Sequence, residues 1–262
     1  MRIARHVVMI VIDGLRPDAL LSGDTPALKK LIAGGTSTMK ARTVMPSWTL
    51  PCHTSLFYGV APESHGVTNN TFLASTRPLP SLVQVIRAAT KRKTAMFYNW
   101  EELRDMAPPG SLDASMFIHY QSMDGDASDQ TLFAGAGEWL AEHDFAFAFV
   151  YYGAADVAGH EHGWMSAEYM ERVHAADRAV GRLLTKLPSH TNVIVLSDHG
   201  GHERTHGTDC DEDVTIPVIL HGPELKAGRT LTSPVSILDI APTITTWMGI
   251  PKPPEWEGSA IS

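Results

Sequence analysis

Three aspartates and three histidines occupy positions where a folded chain can gather them. Asp13 ends the apolar run Val7–Ile12, Asp156 follows Phe145–Tyr152 after a short Gly-Ala turn, and Asp198 lies just past Val193–Leu196. His160 stands four residues after Asp156, His199 adjoins Asp198, and His206 follows in the same segment. Carboxylates brought to one edge repel one another unless a proton or a cation intervenes. Imidazole and carboxylate without sulfur form a donor set that suits Zn²⁺, with Mn²⁺ or Mg²⁺ less favoured by the imidazoles. Three of each can hold two divalent ions with positions left open. One Asp is more often a turn or a helix cap, and one Asp-x-x-x-His spacing is weak evidence. The weight lies in the set, within a chain that holds 13 histidines.

A hydroxyl joins them. In Pro46-Ser-Trp-Thr49-Leu-Pro51-Cys-His, Pro51 followed by Cys52–Tyr58 predicts a helix closed by Gly59. That leaves Thr49 at a helix N-terminus, where free N–H groups and the dipole favour an anion. A threonine hydroxyl is a poor nucleophile until it loses its proton, and a coordinated cation supplies that activation. The plain alternative is that Thr49 only caps the helix.

Positioning these groups falls to alternating elements. The continuous apolar runs Val7–Ile12, Ala95–Tyr98, Phe145–Tyr152, Val193–Leu196 and Ile216–Leu220 predict strands covered on both faces, as in a parallel sheet. Between them, a helix opening at Thr25-Pro26 and running to Gly34-Gly35, then Ser81–Ala89, Asp129–His143, Ser166–Leu187 and Ser236–Met248, read as amphipathic helices. This is the pattern of an α/β three-layer sandwich around a mostly parallel central sheet, read as one domain over 1–262. Ligands in such sheets bind outside the carboxyl ends of the strands, where all three aspartates fall. The Pro-rich end, Pro251–Ser262, reads as a surface tail anchored by Trp256.

Composition narrows the function. Hydrophobic residues are 44% and charged residues 19% of the 262, an ordinary globular balance. With 29 acidic against 21 basic residues the formal net charge is -8, which gives no general basic surface for a nucleic-acid polymer or an anionic membrane. No apolar run approaches the length of a membrane span. Cys52 and Cys210 read as two free thiols in a reducing compartment, and the expectation is a cytoplasmic protein. The sequence leaves the oligomeric state open.

Seven segments carry a resemblance. Val11-Ile-Asp13-Gly-Leu-Arg16-Pro-Asp, Thr49-Leu-Pro-Cys-His53, Gly59-Val-Ala-Pro-Glu-Ser-His65-Gly66-Val-Thr-Asn-Asn70, Ala155-Asp156-Val-Ala-Gly159-His160, Leu196-Ser-Asp198-His199-Gly200, His206-Gly207 and Asp239-Ile-Ala-Pro-Thr243 occur in this order. The ordered set resembles the alkaline phosphatase superfamily, and within it the nucleotide pyrophosphatase/phosphodiesterase branch. The resemblance implies a phosphoric ester hydrolase with two Zn²⁺. Asp13, Asp198, His199 and the Thr49 hydroxyl would bind one ion, and Asp156, His160 and His206 the other. Thr49 would be the nucleophile of a phosphothreonine route. Asn70 would donate to a non-bridging phosphoryl oxygen, and the amide near Leu50 would share that task. The partner implied is a small-molecule phosphate ester or phosphonate.

The chain departs from that pattern in two places. Cys52 stands where relatives often have Asn. Only Gly200 to Thr205 separate His199 from His206, where many relatives insert a large lid, so a minimal core is expected. Selectivity would then come from Asn99–Met106, Trp164 or Trp48. A sulfatase would carry Cys or Ser in the Thr49 place and Arg in the His53 place. A phosphomonoesterase or phosphonate hydrolase is a nearer alternative, with Arg16 and Arg42 the basic residues the fold could bring in. A non-catalytic metal-binding module would be expected to lose a ligand or the nucleophile. His65, His162 and His202 read equally as orienters of ligands or as surface and turn residues, and Asp239 as structural.

Overall fold

The strand that ends in Asp13, β1 (His6–Ile12), is buried at every residue. Its side chains alternate between two cores: Val7, Met9 and Val11 enter one, and Val8, Ile10 and Ile12 the other. That period-2 division requires covering layers on both faces of a sheet. The computed structural model describes residues 3–71, 78–123 and 125–262. After β1 come α1 (Pro17–Ser22), α2 (Pro26–Gly34), β2 (Thr36–Arg42), α3 (Thr49–Tyr58), α4 (Pro62–His65), α5 (Leu82–Thr90), β3 (Lys93–Tyr98) and β4 (Ala114–Phe117). Then follow α6 (Ala127–Glu142), β5 (Phe145–Tyr152), α7 (Ala154–His162), α8 (Ala167–Leu184), β6 (Thr191–Leu196), α9 (Asp211–Val214), β7 (Thr215–His221), β8 (Arg229–Thr230) and α10 (Ile240–Trp247).

The sheet has eight strands in the order β4-β3-β5-β1-β6-β7-β2-β8. Helices α3, α5 and α10 cover the face fed by Met9, while α1, α2, α6, α7 and α8 cover the face fed by Ile10. This is the three-layer α/β sandwich expected. One strand departs from it: β7, which contains Ile216–Leu220, runs antiparallel to both β6 and β2. Its apolar run is buried in the same way, and burial carries no record of direction. Strands β2, β4 and β8 have no clear apolar signature. β2 alternates buried and exposed positions only at its far end, and β8 is two exposed residues.

Two helix starts show how their open amides are satisfied. Thr25 stands at the N-cap of α2, but its hydroxyl donates to Leu20 O at 2.7 Å. The open amides of Ala27 and Leu28 instead donate to the Asp177 carboxylate of α8, at 3.1 and 2.8 Å. The Ser236–Met248 helix begins as a 3-10 turn, Ile237–Asp239, capped by Ser236 and Asp239 reciprocally, so Asp239 is structural. Trp256 anchors the C-terminal segment: it is buried and its indole N–H donates to Pro80 O at 2.9 Å. Among the described residues no helix is long and apolar enough to cross a membrane.

Candidate active site

β1 lies between β5 and β6, with Ile12 beside Tyr152 and Val11 beside Leu196. The three carboxyl ends are therefore neighbours, although they are far apart in the chain. Asp13 leaves β1 with its amide bonded to Tyr152 O at 2.9 Å. Gly14 turns the chain at φ +66°, and a Cβ there would sit 3.3 Å from Asp156 atoms. Asp156 stands in the first turn of α7, which places His160 one turn further along the same helix. The segment after β6 carries Asp198 and His199, then returns through a tight pairing of His202 and Thr205 (both N–H···O 2.9 Å) to deliver His206. No lid interrupts that return.

Two clusters result. Asp13, Asp198 and His199 form one, all buried, and Asp156, His160 and His206 the other. His199 Nε2 lies 3.2 Å from Asp13 Oδ1 and 3.3 Å from Asp198 Oδ2. In the second cluster, Asp156 Oδ2 is 3.5 Å from His160 Nε2, and Asp156 Oδ1 is 3.7 Å from His206 Nε2. Each imidazole is turned by a backbone carbonyl on its other nitrogen: Gly200 O to His199 Nδ1 at 2.7 Å, Arg204 O to His160 Nδ1 at 3.0 Å, and Ser47 O to His206 Nδ1 at 2.8 Å. An Nδ1–H donated to a carbonyl leaves Nε2 as a bare lone pair.

Those lone pairs face carboxylate oxygens, with no donor between them. Asp13 Oδ1, Asp156 Oδ1 and Asp198 Oδ2 are buried without a hydrogen-bond partner. A buried charge left so is costly unless paired or bound to a metal. The titrations reflect this. Burial, then the neighbouring Asp198 and Asp156 charges, pushes the Asp13 carboxyl well above its ordinary range. Burial and Asp156 push Asp198 up to about 8. Burial, then His206, holds His199 well below the usual imidazole value, so it is neutral. Orphaned carboxylate oxygens, imidazole Nε2 atoms aimed at them and an O/N donor set fit divalent cations at both clusters.

The Thr49 hydroxyl lies 3.2 Å from His199 Nε2, at the first residue of α3. Trp48, not Thr49, is the N-cap residue, so the hydroxyl is not spent on the helix. The Leu50 amide donates to Asn70 Oδ1 at 2.9 Å, which orients that amide group with its NH₂ left over. A cleft of about 320 Å³ opens above; Asp13, Thr49, Asn70, Asp156, His160 and His206 line it, with Trp48, Asn99, Trp100, Tyr120 and Gln121 on its walls. Of the expected selectivity residues, Trp48 and, from Asn99–Met106, Asn99 and Trp100 are there, whereas Trp164 is not. Trp164 is buried, donates to Gly14 O at 2.9 Å, and packs so tightly that a Cβ on Gly201 would meet it at 2.2 Å.

Arg16 and Arg42 do not reach the cleft. Arg16 bonds to Asp18 and to Gly201 O, and Arg42 to Asp211 and Thr215. His65 bonds Ser55 Oγ at 3.0 Å, and His202 bonds Asp213 Oδ1 at 2.8 Å. Two supporting residues were missed from sequence. Tyr151 donates a hydrogen bond to Asp13 Oδ2. His53 is buried with Nδ1 2.9 Å from Thr49 O and 3.4 Å from Asp198 Oδ2. Its place four residues after Thr49 on one helix was the available signal. Strand alternation offered the same for Tyr151, two residues after Phe149.

Comparison with known proteins supplies the family. The family described as type I phosphodiesterase / nucleotide pyrophosphatase matches residues 7–214. The chain is 28% identical over 224 residues to a bis(5'-adenosyl)-triphosphatase, enpp4, of Mus musculus, covering 75% of this chain and 47% of that protein. It is 27% identical over 224 residues to ectonucleotide pyrophosphatase/phosphodiesterase family member 7 of Homo sapiens, covering 74% and 47%. The chain thus spans about half the length of these curated relatives or less. Among solved structures, an inactive murine ectonucleotide pyrophosphatase / phosphodiesterase 5 in complex with AMP superposes with a TM-score of 0.81 at 16% identity, over 97% of each chain. A 2-O GAG sulfatase superposes at 0.79 and 16% identity, over 98% of this chain and 73% of that one. These structures share the alkaline phosphatase fold. The chain belongs to the type I phosphodiesterase / nucleotide pyrophosphatase family.

Proposed function

We propose that this chain hydrolyses phosphodiester or pyrophosphate bonds of a small molecule through a phosphothreonine at Thr49. The observation that carries the proposal is the Thr49 hydroxyl 3.2 Å from His199 Nε2, beside two clusters whose unpartnered oxygens call for cations. Asp13, Asp198 and His199, with Thr49, would hold one ion; Asp156, His160 and His206 would hold the second. Two divalent cations, zinc by donor type with Mn²⁺ or Mg²⁺ as alternatives, would lower the pKa of the attacking hydroxyl and offset charge on the leaving oxygen.

Thr49 Oγ1 gives up its proton to solvent and attacks phosphorus in line; the bond to the leaving oxygen breaks, that oxygen takes up a proton from solvent, and the phosphoryl group, still carrying its other ester oxygen, rests on Thr49. Water then cleaves that ester and restores the hydroxyl. Asn70 donates from its NH₂ to a non-bridging oxygen, and the Leu50 amide contributes one step back, by fixing Asn70 through Oδ1. Tyr151 and the three carbonyls on Nδ1 keep the ligands aimed. The flat walls Trp48, Trp100 and Tyr120 receive the organic substituents.

A diester is favoured over a monoester. Among the described residues lining the cleft there is no lysine or arginine to meet a second phosphoryl charge. The one relative named for a bis(5'-adenosyl)-triphosphate and the AMP complex of a structural neighbour support a nucleotide as one substituent. The test is turnover of an aryl phosphodiester against the aryl monoester, phosphonate ester and sulfate, each with added Zn²⁺ or Mn²⁺. The expected order puts the diester first. Faster monoester turnover would move the assignment to a phosphomonoesterase. Metal binding with no turnover of any would leave a binding module.

A further inference from the structure

A third cluster of ligand atoms lies outside both groups of the cleft. His202, Cys210 and Asp213 each offer one donor, all within 4.8 Å of one another. His202 Nδ1 is 2.8 Å from Asp213 Oδ1 and 3.5 Å from Cys210 Sγ. Tetrahedral zinc with bonds of roughly 2.3 Å to sulfur and 2.0 Å to nitrogen and oxygen needs separations of about 3.6 Å for S···N and about 3.3 Å for N···O. The first is already met and the second needs an opening of about half an ångström. We propose that His202, Cys210 and Asp213 form a third metal site for a borderline-soft divalent ion of the zinc type, with its remaining position open to water.

The surroundings support the site. Asp213 is fully buried, and its Oδ2 accepts from Thr208 N at 2.9 Å and Thr208 Oγ1 at 2.8 Å, which leaves Oδ1 aimed at His202. Cys210 N donates to the same Thr208 hydroxyl at 3.3 Å. One threonine thus braces both flanking ligands, as outer groups do in metal centres. Cys210 is a free, partly exposed thiol, whereas Cys52 is buried against Thr43. Gly200 N donates to Asp213 O at 2.7 Å, so the site sits at the base of the segment that carries His206. An ion there would tie that segment to α9.

Sulfur separates this site from the other two, whose donors are oxygen and nitrogen. Metal-free protein titrated with Co²⁺ should develop a near-ultraviolet thiolate-to-cobalt charge-transfer band that saturates at one thiolate-bound ion per chain. Cys210→Ser should abolish the band and keep the visible cobalt bands of the O/N sites. Cys52→Ser should leave the band intact. His202→Ala should weaken its titration midpoint by more than about tenfold. A wild-type protein that takes up cobalt with no thiolate band overturns the proposal and leaves a hydrogen-bonded His–Asp pair. A band that survives Cys210→Ser overturns it equally. Neither result bears on hydrolysis at Thr49, which diester turnover reports separately.

Discussion

The imidazoles of His199 and His206 stack with ring centroids 3.7 Å apart and 13° between their planes. Each belongs to a different cluster of ligand atoms. The tight return through His202 and Thr205 brings them face to face. A large insertion there would not be needed to place either ring. The two halves of the site are therefore one mechanical unit.

Thr49→Ala should lower turnover of an aryl diester on the order of a thousandfold or more, the scale seen when a nucleophile is removed. Melting temperature should stay near wild type, because Thr49 does not cap α3, and metal content should stay near it because Asp13, Asp198 and His199 remain to hold the ion. Steady-state rates with metal analysis read both. Near-normal rates would mean direct attack by water.

Asp156→Ala or His206→Ala should release one ion and keep the other. Asp156 belongs to one cluster only, and Asp13, Asp198 and His199 remain whole. Rates should fall by orders of magnitude. Loss of both ions from either variant would show that the clusters do not bind separately.

Tyr151→Phe removes the hydroxyl that donates to Asp13 Oδ2. Outer hydrogen bonds of this kind typically hold about ten- to a hundredfold in metal affinity. A chelator competition should show a weakening of that order at the Asp13 cluster. Added metal should restore most of the rate, which a folding defect would not permit.

Asp129 offers a pH test away from the ligands. It is buried, accepts from Gly153 N at 2.6 Å, and burial raises its carboxyl to about 7. Between its ordinary value and about 7 the folded chain holds a proton that the unfolded chain lacks. Stability is therefore full at low pH and declines as pH rises through that window, by on the order of 4 kcal/mol from this group. Denaturant unfolding with chelator at pH 5 and pH 8 should show that decline. Asp129→Asn should show less of it, because an amide does not titrate.

Several features were readable before any fold was known, because they depend on near neighbours. Continuous apolar runs announced β1, β5 and β6, since a strand covered on both faces must be apolar throughout. Asp13 directly after one such run, Asp198 past another with one residue between, and Asp156 four residues before His160 marked the ligands. The order of motifs identified the family. Direction was not readable: β7 is as apolar as its parallel neighbours, yet runs against them.

Only the tertiary structure decided that the ligands meet. Asp13, Asp156 and Asp198 converge because β5 and β6 pair with the two edges of β1, contacts that span more than half the chain. Sequence distance says nothing about which strand becomes a neighbour. The aim of the imidazoles was decided in the same way, by carbonyls of Ser47, Gly200 and Arg204 that any residue could supply. A backbone oxygen leaves no trace in residue type, so orientation is a property of the folded chain alone.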